Sequence, residues 1–302
     1  MLFTGIAPMG ALAANEAFDD EAFLFEPKWD GGRLMLHKQG GRCEIYTRSG
    51  RPVTEQLPEL REALSALSAP SVILDGEGIV LRGGRPVFDD WAYRLRIRQS
   101  AKIRTAQITH PVLFAAFDLL YTDRPHLGEP LTNRKARLGE LLRDGGILTP
   151  TIYIEEQGRR LFELTAAQGL EGIVAKRKDS LYLPGHRGGE WVEIKHRRTV
   201  DTVILGYRED PFALVIGLQF RTVKNKPVGS VARGLTEEDR SILLRLAEGL
   251  LTHEERGTRW LEPRLCCRIS YRDRSAMHQL GETEFHSFLL DKTPQECVWP
   301  YE

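Results

Sequence analysis

Cysteine is scarce, net charge is zero and no apolar run is long, and each shortage removes a class of protein. The four cysteines, Cys43, Cys266, Cys267 and Cys297, include no Cys-x-x-Cys pair with a second pair or histidines at metal-ligand spacing. A zinc site and a disulfide framework are therefore not expected, and the thiols read as reduced in a cytoplasmic protein. Lys+Arg 42 balances Asp+Glu 42, so a polyanionic partner must be held by a local basic patch, because the overall field attracts nothing. No stretch is long enough to span a membrane. Residues 1–14 are mildly apolar but lack a basic leader and are broken by Pro8 and Gly10, so a signal peptide is not expected. Internal repeats and low-complexity segments are missing too. What remains, at 41% hydrophobic and 28% charged over 302 residues, is the make-up of a globular chain long enough for two domains.

Up to about Lys195, short β-rich runs such as Val72-Ile73-Leu74 alternate with helical patterns, as in 132–142, where Leu138, Leu141 and Leu142 recur at helical spacing. A second set of runs covers 203–205, 213–220, 228–231 and 266–271, with one helical stretch over 237–251. These patterns predict a mixed helix-and-strand domain followed by a small β-domain with one helix. His196-Arg197-Arg198 is the linker candidate, and the expected domains are 1–197 and 198–302.

Glu26-Pro27-Lys28-Trp29-Asp30-Gly31-Gly32-Arg33 follows the apolar run Phe23-Leu24-Phe25. This places a lysine at the end of a strand with a carboxylate, glycines and an arginine around it, the layout of a lysine nucleophile. Such a lysine attacks phosphorus only as the neutral amine, and neighbouring cations are expected to lower its pKa toward the working pH. Gly31 and Gly32 are expected to let the backbone turn tightly behind it.

Further sites downstream suit a nucleotide phosphate pocket. Thr47-Arg48-Ser49-Gly50 ends a strand-like run with an arginine, Asp75-Gly76-Glu77 follows a buried-looking run, and Phe117-Asp118 puts an aromatic beside an acid. Glu171-Gly172-Ile173-Val174-Ala175-Lys176 holds a carboxylate and a lysine on opposite faces or ends of a strand. In Trp191-Val192-Glu193-Ile194-Lys195 the odd-numbered residues share one face. Singly, each has a commonplace reading: Arg48-Ser49-Gly50 as a turn, Phe117 as core, Glu171 and Lys176 as a surface pair worth little. Their order carries more information than any one of them.

That ordered set resembles the ATP-dependent DNA ligases, and within them small bacterial enzymes related to the ligase module of multidomain end-joining ligases. The resemblance covers almost the whole chain. It implies an α+β fold, with a nucleotidyltransferase (adenylation) domain of antiparallel sheets and helices followed by an OB-fold β-barrel. It implies that Lys28 attacks the α-phosphorus of ATP and carries AMP as a phosphoramidate, that AMP passes to the 5′-phosphate of a nick, and that the 3′-hydroxyl then displaces it. By the same resemblance Lys176 and Lys195 contact the α-phosphate, and Arg33 and Arg48 hold ribose, phosphate or the nick's 5′-phosphate. Glu77 and Glu171 are the sugar and divalent-metal carboxylates for Mg2+ or Mn2+. Phe117 stacks on adenine, and Glu26 helps recognise the base near its amino group. The implied partners are nicked duplex DNA and a Ku-type end-bridging protein, and the implied working form is a monomer.

Two positions depart from the family pattern. Glu193 stands where a second lysine is common, which implies weaker charge stabilisation or metal binding there unless its side chain points away. Leu289, two residues before Asp291-Lys292, stands where an arginine orients pyrophosphate, which implies a slower self-adenylation or the use of another cation such as Arg274. The same lysine motif serves RNA ligases and mRNA-capping guanylyltransferases, which are the nearest alternatives. The Phe114–Tyr121 stretch and the C-terminal β-domain favour the DNA enzyme. A noncatalytic DNA-binding protein on a ligase scaffold is the alternative from a different class, supported by Glu193 and Leu289 alone.

Overall fold

Alternation along three neighbouring strands, Asp20–Lys28, Gly172–Arg177 and Arg187–Lys195, builds a sheet with one apolar and one charged face. Phe25, Ile173, Ala175 and Ile194 point one way and bury against Leu161 of the helix Gly158–Ala167. Glu26, Lys28, Lys176, Glu193 and Lys195 belong to the opposite face. The computed structural model describes residues 1–143, 146–275 and 277–300. Contacts divide the chain into two compact units, Met1–Lys195 and His196–Glu302.

In the first unit that sheet runs, in spatial order, Gly10–Ala14, Arg187–Lys195, Gly172–Arg177, Asp20–Lys28, Ile154–Glu156. A second sheet runs Arg42–Thr47, Gly32–Gln39, Ser71–Arg82, Val112–Tyr121, Leu148–Pro150, with the short Arg85–Pro86 paired to Ser71–Arg82. Most pairings are antiparallel, as expected, but Gly10–Ala14 lies parallel to Arg187–Lys195, and Val112–Tyr121 parallel to Leu148–Pro150. The second sheet's core joins Leu34, Leu36, Leu74 and Phe114 to Leu60 and Leu64 of the helix Pro58–Ala66 and Leu138 of the helix Leu131–Leu141. The chain passes from the first sheet to the second through Trp29-Asp30-Gly31, so Lys28 and Arg33 end up on different sheets.

The chain bends at Asp30-Gly31, and Gly31 and Gly32 are needed there for close approach. A Cβ at Gly31 would lie 2.1 Å from the Gly78 carbonyl oxygen, and one at Gly32 would lie 2.1 Å from Trp91 Nε1. Neither glycine is among the residues with positive φ.

The second unit is a closed barrel. Its long strand Arg198–Glu209 pairs with Phe212–Leu218 through residues 203–209 and with Cys266–Tyr271 through residues 198–203. Phe212–Leu218 continues to Lys226–Val231, and Cys266–Tyr271 to Glu284–Phe288. A bridge between Arg233 and Glu284, with the Phe285 N–H donating to the Arg233 carbonyl at 2.9 Å, closes the circuit of five strands, which is the OB-fold pattern. The helix of this unit spans Glu237–Ala247, capped by reciprocal bonds between Thr236 and Asp239. It ends four residues before the expected 251, because the chain turns at 248–250 and Leu251 pairs with Leu261 in a strand. Leu289 packs partly buried against the barrel core, and Lys292 ion-pairs with Asp201. The leucine at this departure from the family pattern is thus spent on packing.

No helix among the described residues is long and apolar enough to cross a membrane, and all four cysteines are unbridged.

One buried ion pair ties the second sheet to its helix: Arg134 Nε and Nη2 donate to the two Asp118 oxygens at 2.7 and 2.9 Å, both side chains fully buried. Arg134→Met leaves Asp118 buried without its partner and is expected to cost about 3–5 kcal/mol in urea unfolding. A loss near the scale of an exposed pair, about 0.5 kcal/mol, would contradict the reading.

Candidate active site

Strand register brings the distant motifs together. Gly172 pairs with Lys28 on one side and Lys195 on the other, and Val174 pairs with Glu26 and Glu193. Each row places its side chains on one face, and residues two apart along a strand share that face. Gly172 itself admits no side chain: its φ is +155°, and a Cβ would lie 2.0 Å from the Ile194 carbonyl oxygen. From the second sheet come Arg33 and Glu77, a direct cross-strand pair. Phe117 follows on the next strand, Val112–Tyr121. The resulting cavity, about 290 Å³, is lined by Glu26, Lys28, Arg33, Arg48, Glu77, Phe117, Lys176, Trp191 and Glu193, with Gly10, Ala11 and Arg187 from the flanking parallel pair.

Glu171 and Lys195 are not among the lining residues but join the site through Lys28: Glu171 bridges two lysines, with Oε2 at 3.2 Å from Lys28 Nζ and Oε1 at 3.0 Å from Lys195 Nζ. Glu193 Oε2 is 3.7 Å from Lys28 Nζ. Trp191 and Glu193 line the cavity and Lys195 reaches Glu171, in keeping with the shared face that alternation predicts. Glu193 is therefore turned into the site.

The charge around Lys28 is the reverse of the sequence expectation. Burial works against its ammonium, but the carboxylates of Glu171, Glu77 and Glu193 outweigh that effect and Lys195's opposition, and they raise its pKa. The lysine motif suggests a cationic surround because Arg33 stands within it. In the fold Arg33 and Lys176 are each claimed by another acid.

Arg33 donates through Nε to Asp75 Oδ1 at 2.9 Å and through Nη2 to Asp75 Oδ2 at 2.6 Å, a two-bond fork that fixes its orientation. Burial opposes its charge, but Asp75 raises its pKa. Tyr182 donates to the same Asp75 oxygen at 2.7 Å. Lys176 Nζ lies 2.8 Å from Glu26 Oε2, and 4.2 and 4.1 Å from the ring centres of Phe117 and Trp191. Burial lowers its pKa to about 8, with Lys135 adding to the fall and Glu26 and Asp118 opposing it. Glu26 also ion-pairs with Lys135, which is not among the residues lining the cavity. Phe117 meets Trp191 edge-on at 6.1 Å. Arg48 is exposed at the rim, where its N–H donates to the Arg33 carbonyl at 3.2 Å.

Sequence reasoning did not single out Asp75's hold on Arg33, nor Tyr182 or Lys135. Nothing local marks them, because their partners lie far along the chain: Tyr182 and Asp75 are 107 positions apart. Asp118, next to Phe117 in sequence, is tied to Arg134 and is not among the residues lining the cavity, though its charge acts on Lys176.

The two sheets around a lysine-centred cavity, followed by a five-stranded barrel, make an adenylation domain with a C-terminal β-rich domain. Residues 8–195 match the family described as ATP dependent DNA ligase domain, and the chain belongs to that family. It is 31% identical over 319 residues to the multifunctional non-homologous end joining protein LigD of Mycolicibacterium smegmatis, an alignment covering 97% of this chain and 39% of that protein. It is 30% identical to DNA ligase C1 of the same organism, over 97% of this chain and 92% of the relative. The solved structure of a mycobacterial DNA ligase D complexed with ATP and MES shares 32% identity at a TM-score of 0.57, covering 97% of this chain and 98% of that one. The chain spans about two fifths of the length of the LigD relatives it matches.

Burial pushes the Glu77 carboxyl up to about 8, with Glu171 and Asp75 adding to the rise and Lys28 and Arg33 opposing it. An unfolded glutamate titrates near 4.5, so the folded protein holds an extra proton between there and about 8, and this group's contribution to stability falls as pH rises through that window. Without added metal, the melting temperature of Glu77→Gln should fall less than that of the parent chain from about pH 5 to about pH 9. Parallel falls would contradict the shift.

Proposed function

We propose that the protein is an ATP-dependent DNA ligase that seals nicks in duplex DNA through a lysyl-AMP and a DNA-adenylate. Lys28 Nζ attacks the α-phosphorus of ATP, a P–N bond forms, and pyrophosphate leaves. The AMP then passes to the 5′-phosphate of a nick, giving a pyrophosphate linkage and restoring the lysine. The 3′-hydroxyl attacks that 5′-phosphorus, AMP leaves, and the phosphodiester is closed. The observation that carries the reading is the ion-pair cluster of Lys28, Glu171 and Lys195, with Lys28 opening on the cavity, within the segment that matches the ligase family.

We assign the adenylation domain to residues 1–197 and the OB-fold to residues 198–302. Glu171 Oε2 holds the Lys28 amine at the cavity floor, and the ammonium must lose a proton before attack. Lys195 and Lys176 are the cations for the α-phosphate. Phe117 offers the adenine platform and Glu26 an acceptor for the base's amino group. Arg48, exposed at the rim, suits a ribose or the nick's 5′-phosphate. Arg33 is held by Asp75, and its role is to present a fixed guanidinium at the cavity wall.

The family implies Mg2+ or Mn2+, and the donors present fit it. Glu77 and Glu171 offer only oxygen, and their charges lie close enough to act on each other. That suits a cation held by one or two carboxylates together with substrate phosphates. Glu77 and Glu171 would hold it. When bound, the ion supplies positive charge that offsets the carboxylates and the phosphates. End joining, named for the LigD relative, makes a Ku-type end-bridging protein the partner to test.

Lys28→Ala should lose sealing of a 5′-phosphorylated nick in duplex DNA while still closing a nick already carrying 5′-AMP, since the lysine's part is over by then. Gel assays with ATP and magnesium read both. Equal sealing of the phosphorylated nick by the variant would remove Lys28 as nucleophile. Sealing of nicked RNA but not DNA, or use of GTP in place of ATP, would move the assignment to the RNA-directed or capping enzymes.

A further inference from the structure

Glu26 is a buried carboxylate with two ammonium partners, one on each side. Lys176 lines the cavity and Lys135 does not: Lys135, on the helix Leu131–Leu141 with its side chain only 3% exposed, pairs with Glu26 Oε1 while Lys176 pairs with Oε2. A buried lysine is costly unless it has a partner. A second lysine on a carboxylate that already has one is therefore a feature that packing does not require. Its consequence is that Glu26 stays neutralised if Lys176 leaves.

We propose that Lys135 is the standing counter-ion of Glu26, and that by holding this charge it leaves Lys176 able to turn from Glu26 to a nucleotide in the cavity. The inference rests on the cavity's being the ATP site. Without Lys135, Glu26 and Lys176 close into a one-to-one buried pair, and separating that pair would oppose nucleotide binding. Lys135 touches no cavity surface, so it is a positioning residue. The ionic groups facing Lys176 are Glu26 from its neighbouring strand, Lys135 from the helix and Asp118 from the second sheet. Arg33 shares the Phe117 and Trp191 rings with it. Asp118 is already tied to Arg134 and Arg33 to Asp75, which leaves Glu26 as the acid whose hold on Lys176 can vary.

The test measures binding of α,β-methylene ATP to the full chain by calorimetry across pH, with melting curves to confirm folding. Lys135→Met and Lys135→Gln should each weaken binding about tenfold or more near neutral pH. Lys135→Arg should keep the parent affinity. In the parent, binding should weaken as pH passes about 8, where Lys176 sheds its proton. That alkaline limb should move to higher pH in both neutral variants, because a positive neighbour has been removed. Parent-like affinity in the neutral variants would overturn the proposal. Weaker binding with an unmoved limb would reduce Lys135 to a packing role and overturn it as well. Failure of the parent chain itself to bind the analogue would instead overturn the ATP-site reading on which the proposal stands.

Discussion

The carboxylate of Glu171, shared between the ammonium groups of Lys28 and Lys195, is the constraint around which the first unit is arranged. It requires three strands in one register, since Lys28, Gly172 and Lys195 must lie in a row for the residue before Gly172 to reach both lysines. The register in turn requires glycine at 172, where neither the positive φ nor the approach to Ile194 tolerates a side chain. A slip of one residue would turn every charged group on this face into the apolar layer under the helix Gly158–Ala167. The alternation that buries Phe25, Ile173 and Ile194 is the same alternation that presents Glu26, Lys28 and Glu193.

The cavity is built from charges that are already answered by the protein. Arg33 has Asp75, Lys176 has Glu26, and Lys28 has Glu171. Such pairs are weak evidence for stability, because desolvation offsets much of their attraction. Their value for phosphoryl chemistry is orientation, most plainly at Arg33, whose guanidinium the Asp75 fork fixes before charge develops on a ligand. Glu193 adds a negative charge at 3.7 Å from Lys28, so this site depends more on cations brought with the nucleotide than a site with lysine there would. The free site keeps Lys28 charged, and nucleophilic attack has to follow a change in the charge around it.

Much of this was legible in the sequence because it is local. Strand alternation placed Trp191, Glu193 and Lys195 on one face, and the β-rich runs after residue 198 marked the barrel. The motif order named Glu26, Lys28, Arg33, Arg48, Glu77, Phe117 and Lys176, which the fold places around the cavity, and Glu171 and Lys195, which it places in the ion-pair cluster beside it. What was not legible depends on contacts between distant segments. The sign of the shift at Lys28 turns on which acids the fold brings to it. The need for Gly31 and Gly32 comes from Gly78 and Trp91, far along the chain. Lys135 looks like any helix lysine until Glu26 is found against it. Leu289 could be placed in a motif by sequence, but its burial against the barrel core could not.

The account stands on Lys28 as the group that bonds to the nucleotide. The most direct measurement is incubation of the purified chain with magnesium and α-labelled ATP, followed by peptide mapping of the covalent label by mass spectrometry. The expected result is one AMP, acid-labile as a phosphoramidate is, on the peptide containing Lys28, and its loss from the protein when nicked DNA is added. A correctly folded protein that takes no label, or label on Lys176 or Lys195 with Lys28 unmodified, would contradict it.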